Sequence, residues 1–114
     1  MVHTADEAAG RLAEEGLGVE ILDLRTLIPW DRERVLEAVQ RLSKVLVLHE
    51  DTRTGGFGGE IAATIAEEAF EHLDAPVKRI AAPDTPVPFA PKLERAYIPQ
   101  VEDVAAGLRE LAEY

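Results

Sequence analysis

The chain has 114 residues, of which 12 are Lys or Arg and 22 are Asp or Glu, giving a formal charge of −10 at pH 7. Phosphate backbones and anionic lipid repel so acidic a surface, which excludes nucleic acid and membrane headgroups as partners. The absence of cysteine excludes disulfides, thiolate metal sites and a cysteine nucleophile. At 46% hydrophobic and 30% charged, the composition is that of one globular domain over residues 1–114, expected in a reducing cytoplasm, with neither a membrane span nor a signal peptide.

In chain order, Ala5, Ala8, Ala9, Leu12 and Ala13 recur at helical spacing, and Thr4 with Glu7 reads as a capping box that opens this first helix. Gly16 and Gly18 end it. Val19–Leu24 is a short apolar run with β-branched residues, followed by Pro29, and predicts a buried strand leading into a turn. Asp31 caps a second helix with Val35, Leu36, Val39 and Leu42 inward, and Val45–Leu48 predicts a second strand. After the polar, glycine-rich stretch Glu50–Gly59, a third helix turns Ile61, Ala62, Ile65, Ala66, Ala69 and Leu73 inward and Glu67, Glu68 and Glu71 outward, until Asp74, Ala75 and Pro76 stop it. Val77–Ile80 predicts a third strand, and Pro83–Pro91 an extended loop, because each proline removes a backbone donor. Val101, Val104, Ala105, Leu108, Leu111 and Ala112 define a last helix. Strands separated by helices predict a three-layer α/β sandwich with a mainly parallel sheet covered on both faces. Three strands are few for such a sheet, whose usual count is about 4 to 6, so a further strand is expected ahead of the first helix.

The segment from His49 through Glu50 to Gly55, Gly56, Phe57, Gly58 and Gly59 follows a strand and opens a helix, which is where open α/β sheets bind ligands. Its glycines serve either a tight turn with close helix packing or an anion at a helix amino terminus; the spacing of a dinucleotide or phosphate loop is absent. His49 beside Glu50 and Asp51 is either a general base with an orienting carboxylate, half of a metal site, or a strand-end histidine bonded to a neighbour. The single serine, Ser43, falls in a helix-to-strand turn, outside any nucleophile elbow. Asp23, Arg25 and Asp31 surround Trp30, so Arg25 and Trp30 serve either a subunit contact or an internal ion pair with the indole over the core. Glu67, Glu68, Glu71 and Asp74 form either a solvated face or a receptor for a basic partner.

Val19–Leu27 with Pro29-Trp30-Asp31, His49-Glu50 with Thr54–Gly58, Glu60-Ile61-Ala62, Ala82–Pro86 and Pro88-Phe89 resemble the carboxyl-terminal domain of the beta subunit of thiamine-diphosphate-dependent 2-oxo acid dehydrogenases, of pyruvate and branched-chain type. Transketolases share that domain's fold more distantly. The resemblance covers nearly the whole chain. It implies an assembly domain that forms a dimer and contacts the dihydrolipoyl acyltransferase, while thiamine diphosphate and magnesium are held by the subunit's amino-terminal domain with the alpha subunit. This chain would then carry no catalytic, cofactor or metal residues, and would oxidatively decarboxylate nothing alone. The resemblance further implies that a small basic domain of the acyltransferase docks on the twofold axis at Asp74 and the carboxylate of Tyr114, with Glu71 beside them and Lys78 of opposite sign nearby. The residues themselves leave open a free-standing module that binds an anion or small molecule at Gly55–Gly59.

Overall fold

The computed structural model describes residues 1–114. In chain order the elements are α1 (Val2–Glu14), α2 (Arg32–Leu42), β1 (Leu46–Thr52), α3 (Gly58–Glu68), a short 3₁₀ helix (Phe70–His72), β2 (Lys78–Ala82), α4 (Pro91–Tyr97) and α5 (Val101–Ala112). β1 and β2 are parallel, joined through α3, with Leu46 opposite Lys78, Val47 opposite Arg79 and Leu48 opposite Ile80. Successive strand residues point to opposite faces. Val47 therefore joins Val35, Val39, Ile61, Ile65 and Ala69 on one side, while Leu48 and Ile80 pack against Ala8, Val104 and Ala105 on the other. Helices α2 and α3 cover the first face and α1 and α5 the second, which is the expected three-layer arrangement around a small parallel sheet. At Gly107 of α5 an added Cβ would lie 2.7 Å from Ile80 Cδ1 and 3.1 Å from Leu46 Cδ1, so this helix approaches the strands through a residue without a side chain.

Several boundaries differ from expectation for local reasons. The Thr4–Glu7 capping box does not form, because α1 already starts at Val2, with the Ala5 amide bonded to the Met1 carbonyl at 2.9 Å. The Asp31 cap does form: its carboxylate accepts from the Arg34 amide at 3.1 Å. Ser43 ends α2 in the left-handed region, at φ 61°. Helix α3 stops at Glu68, since Ala69 leaves helical geometry at φ −136°, and the 3₁₀ helix then turns Phe70 into solvent. Ala66 and Leu42, both expected inside, are exposed, Leu42 lying in the last position of α2. Helix α4 was hidden by its prolines, yet Pro91 occupies a first-turn position that needs no amide.

The segment Val19–Leu24 is the main correction. It forms neither helix nor turn, and Glu20 within it is paired to Arg41 at 2.6 Å and to Arg34 at 3.5 Å. Leu22 and Leu24 pack on the α2–α3 cluster. No main-chain group from Gly18 to Asp23, however, bonds to another main-chain group, so the sheet has two strands and not three. An apolar, β-branched run is a local property, whereas a strand is defined by its neighbour.

Leu12 is fully buried on the inner side of α1, so Leu12→Ala should lower the unfolding free energy by about 2–5 kcal/mol. Leu42→Ala, at a residue 44% exposed, should change it far less in the same urea titration.

Candidate functional site

The two faces of α3 have different fates. Ile61, Thr64 and Ile65 are buried against the sheet. On the other side Ala62 and Ala66 form the wall of an open groove of about 780 Å³, continued by Phe70, Leu73 and Val77. Phe70 is 72% exposed, which makes the groove apolar and open to a partner.

Asp74, Tyr114 and Arg79 stand on the same groove. The structure thus brings together two of the three expected docking residues, Asp74 and Tyr114. The Asp74 amide donates to the Ser43 carbonyl at 2.9 Å, which fixes the turn, and its exposed carboxylate is in no ion pair. Glu71 lies outside the wall, its carboxylate 3.9 Å from His72 Nε2. Lys78 is half-buried and paired with Glu110, so its charge is compensated away from Asp74. Arg79 Nη1 donates to the Arg53 carbonyl at 3.2 Å, and Arg53 Nη1 returns a bond to the Arg79 carbonyl at 2.7 Å. Of the remaining acidic face, Glu68 pairs with Arg32. Sequence reasoning missed Phe70 and Arg79; the available signal was Phe70 following the inward Ala69, one position off the buried stripe.

A second hollow, of about 670 Å³, lies between Leu27–Trp30 and the segment Gly55–Phe57, with Gly59 and Glu60. Trp30 meets Phe57 edge to face, ring centres 6.5 Å apart at 86°. Trp30, Gly55, Gly56 and Phe57 are thus brought together; Gly58 lies behind them, and Arg25 and Glu50 are not part of the wall. Arg25 sits at φ 59° with its side chain 84% exposed, 3.4 Å from Asp23, so it forms a local pair with no reach across the molecule.

His49 occupies the irregular part of β1, where the register slips between Leu48 and Thr52. Neither ring nitrogen has a hydrogen-bond partner. The ring is covered by glycine: a Cβ on Gly56 would lie 2.7 Å from its Cε1, and one on Gly58 would collide with Cδ2 and Nε2. Burial pushes the imidazole pKa below its ordinary value, against the raising influence of Asp51 and with the lowering influence of Arg79. The loop after β1 is tied to the loop after β2 by Thr54, whose amide and hydroxyl donate to Asp84 at 2.8 and 2.6 Å and hold that carboxyl below its ordinary range.

This arrangement decides what the site can hold. Gly58 packs on the His49 ring, and Gly56 on the Thr52 carbonyl and that ring, so these close contacts account for the absence of their side chains. No three His, Asp or Glu side chains converge as metal ligands do. The residues present do not fit a diphosphate with its magnesium ion.

Compared with known proteins, residues 1–104 match the family described as the C-terminal domain of transketolase. The chain is 44% identical over 114 residues to the 2-oxoisovalerate dehydrogenase subunit beta of Bacillus subtilis (strain 168), covering 99% of this chain and 35% of that protein. It is 43% identical over 104 residues to the mitochondrial pyruvate dehydrogenase E1 component subunit beta-1 of Arabidopsis thaliana, covering 91% and 29%. A solved structure described as a split gene transketolase, inactive beta4 tetramer, superposes with a TM-score of 0.80 at 28% identity, over 97% of this chain and 35% of that one. The chain spans about a third of the length of the curated relatives it matches. No helix is long and apolar enough to cross a membrane.

Gly58→Ala should destabilise the fold strongly, and His49→Ala should relieve much of that loss in the double variant, a coupling readable by urea titration. Because the folded-state pKa of His49 is depressed, its contribution is intact above the unfolded value near 6.5 and is lost as pH falls below it. Between about pH 7 and 5, the midpoint of wild type should therefore drop more steeply than that of His49→Phe.

Proposed function

The chain belongs to the transketolase C-terminal domain family, and from that membership we propose that it is the assembly domain of a 2-oxo acid dehydrogenase beta subunit. In this reading it pairs with a second copy and offers Asp74 and Tyr114 to the basic binding domain of a dihydrolipoyl acyltransferase. The supporting observation is the α3 groove. Its small residues admit close approach of another surface, Phe70 supplies an apolar anchor, and Asp74 carries an uncompensated charge at its edge. Identities of 44% and 43% to beta subunits named for 2-oxoisovalerate and for pyruvate favour neither substrate, so the parent chemistry is assigned only to the 2-oxo acid class.

Thiamine diphosphate, magnesium and the alpha subunit belong, in this reading, with the rest of the parent enzyme, and oxidative decarboxylation requires it. The Trp30–Phe57 hollow, with Ile28 91% exposed beside it, is a contact for those parts. The absence of cysteine suits a reducing cytoplasm. Docking at Asp74 is steered by charge, since the chain carries −10 overall.

Light scattering at tens of micromolar (roughly the range in which a modest interface pairs) should show a dimer, and Phe70→Asp should weaken it. In calorimetric titration with a basic acyltransferase binding domain, affinity should fall with salt, and Asp74→Lys should weaken it by at least about tenfold at low salt. Glu14→Lys, on the exposed side of α1, should leave it near wild type. Equal affinity for wild type and Asp74→Lys would remove Asp74 from the interface, and no binding by a dimeric chain would remove the acyltransferase. Calorimetry with thiamine diphosphate and magnesium should give no saturable heat.

A further inference from the structure

We propose that His49 is a proton-operated latch on the turn Gly55–Gly59: while its imidazole is neutral the turn stays closed over the ring and walls the Trp30–Phe57 hollow, and protonation of the ring releases the turn and takes that wall away. A single short segment has two faces here. Towards β1, Gly58 packs on the His49 ring and on Val47, whose Cγ1 would lie 3.2 Å from an added Cβ, while a Cβ on Gly56 would lie 2.7 Å from His49 Cε1. On its other face, Gly55, Gly56, Phe57 and Gly59 line the hollow opposite Trp30. The ring and the hollow therefore share a wall.

This enclosure suits only the uncharged ring. Both ring nitrogens are buried and neither bonds to another group. A neutral imidazole so placed forgoes hydrogen bonds, whereas an imidazolium adds a charge with no acceptor for either N–H, at far greater cost. Few charges act on the ring. Asp51, on its own strand, favours the proton, but its carboxylate already accepts from the Thr52 amide at 2.8 Å. Arg79 of the neighbouring β2 opposes it. Glu50, the adjacent residue, is exposed, and from Gly55 to the first turn of α3 the only ionisable group is Glu60, exposed on the hollow.

The turn is the part that can yield. Its glycines bring no side chains to hold it, and apart from the ring its ties are the Thr54–Asp84 bonds at one end and Phe57 against the α2–α3 cluster. β1, in contrast, is bonded to β2 and covered on both faces. Segments with little buried apolar surface open locally before the whole molecule unfolds. Once released, the ring meets water and takes up a proton at the ordinary histidine value of 6.5, above the value it has when enclosed. Closure is therefore at full strength above that pH and weakens as pH falls below it. The Thr54–Asp84 bonds persist in this range, because they hold the Asp84 carboxyl below its ordinary value of 3.8. What the latch governs rests on the reading of the hollow as a contact with the rest of the enzyme. The latch itself rests on the enclosure of the ring, so either can fail without the other.

Trp30 is the only tryptophan in the chain, so its fluorescence reports on the hollow directly. In the whole 114-residue chain, quenching of Trp30 by acrylamide, a neutral probe indifferent to charge, should rise at least about twofold between about pH 7.5 and 5.5. The rise should not depend on protein concentration, and helical circular dichroism should stay constant through it. Amide exchange followed by NMR should show protection falling at Gly55–Gly59 and persisting in the β1–β2 ladder and α5. The His49 ring resonances should titrate below about pH 6.5. His49→Phe and His49→Gln take up no proton and make different demands on packing, so whichever of them folds should quench equally at both pH values. Unchanged quenching in wild type would overturn the proposal, as would the same rise in a folded variant. Loss of protection spread evenly over α5 and the ladder, or a His49 ring that titrates at or above about pH 6.5, would overturn it as well.

Discussion

A strand with helices on both faces has no side left for water, and this single constraint organises the molecule. β1 must send alternate residues into two separate cores, Val47 among the side chains of α2 and α3, Leu48 towards α1 and α5. Because β2 is parallel to β1, the chain has to return across one face between them, and α3 is that return. The loops that follow both strands consequently emerge at the same end, where Thr54 can reach Asp84. The α3 groove and the Trp30–Phe57 hollow are thus products of connectivity before they are products of any particular side chain.

Charge is distributed on a different principle. Seven of the basic residues (Arg11, Arg25, Arg32, Arg34, Arg41, Lys78 and Arg109) stand in ion pairs with carboxylates. Exposed pairs of this kind add little stability, about 0–1 kcal/mol each. They use up positive charge, however, so the surplus of acidic residues is what a distant partner meets. The pairs Arg109–Glu15 and Arg11–Glu102 also connect α5 to α1, and Arg32–Glu68 connects α2 to α3. Each helix pair is therefore aligned by charge at its surface as well as by apolar contact beneath.

What could be read from the sequence was what residues decide locally. The Asp31 cap, the inward faces of α5 and of α2 apart from the exposed Leu42, and the parallel crossover follow from spacing alone. The strand expected from the apolar run Val19–Leu24 depends on a neighbour, which no local pattern reports. At the candidate site, Asp74 and Tyr114 were reached through resemblance, while Phe70 was hidden by a single change of helical geometry at Ala69. His49 illustrates the opposite case. Its pairing with nearby carboxylates looked chemical in the sequence, but the glycines that followed, read as a turn or an anion loop, are the surface that encloses its ring.

The reciprocal bonds between Arg53 and Arg79 have a further consequence. Each guanidinium is held by a neutral carbonyl of the other residue, and neither stands in an ion pair with a carboxylate. Added electrolyte weakens attraction between opposite charges, but it has little hold on a hydrogen bond to a neutral oxygen. The wall of the groove that Arg79 forms should therefore keep its shape across ionic strengths at which a long-range partner is gained or lost. Recognition at this surface can then be tuned by the medium while the surface itself stays the same.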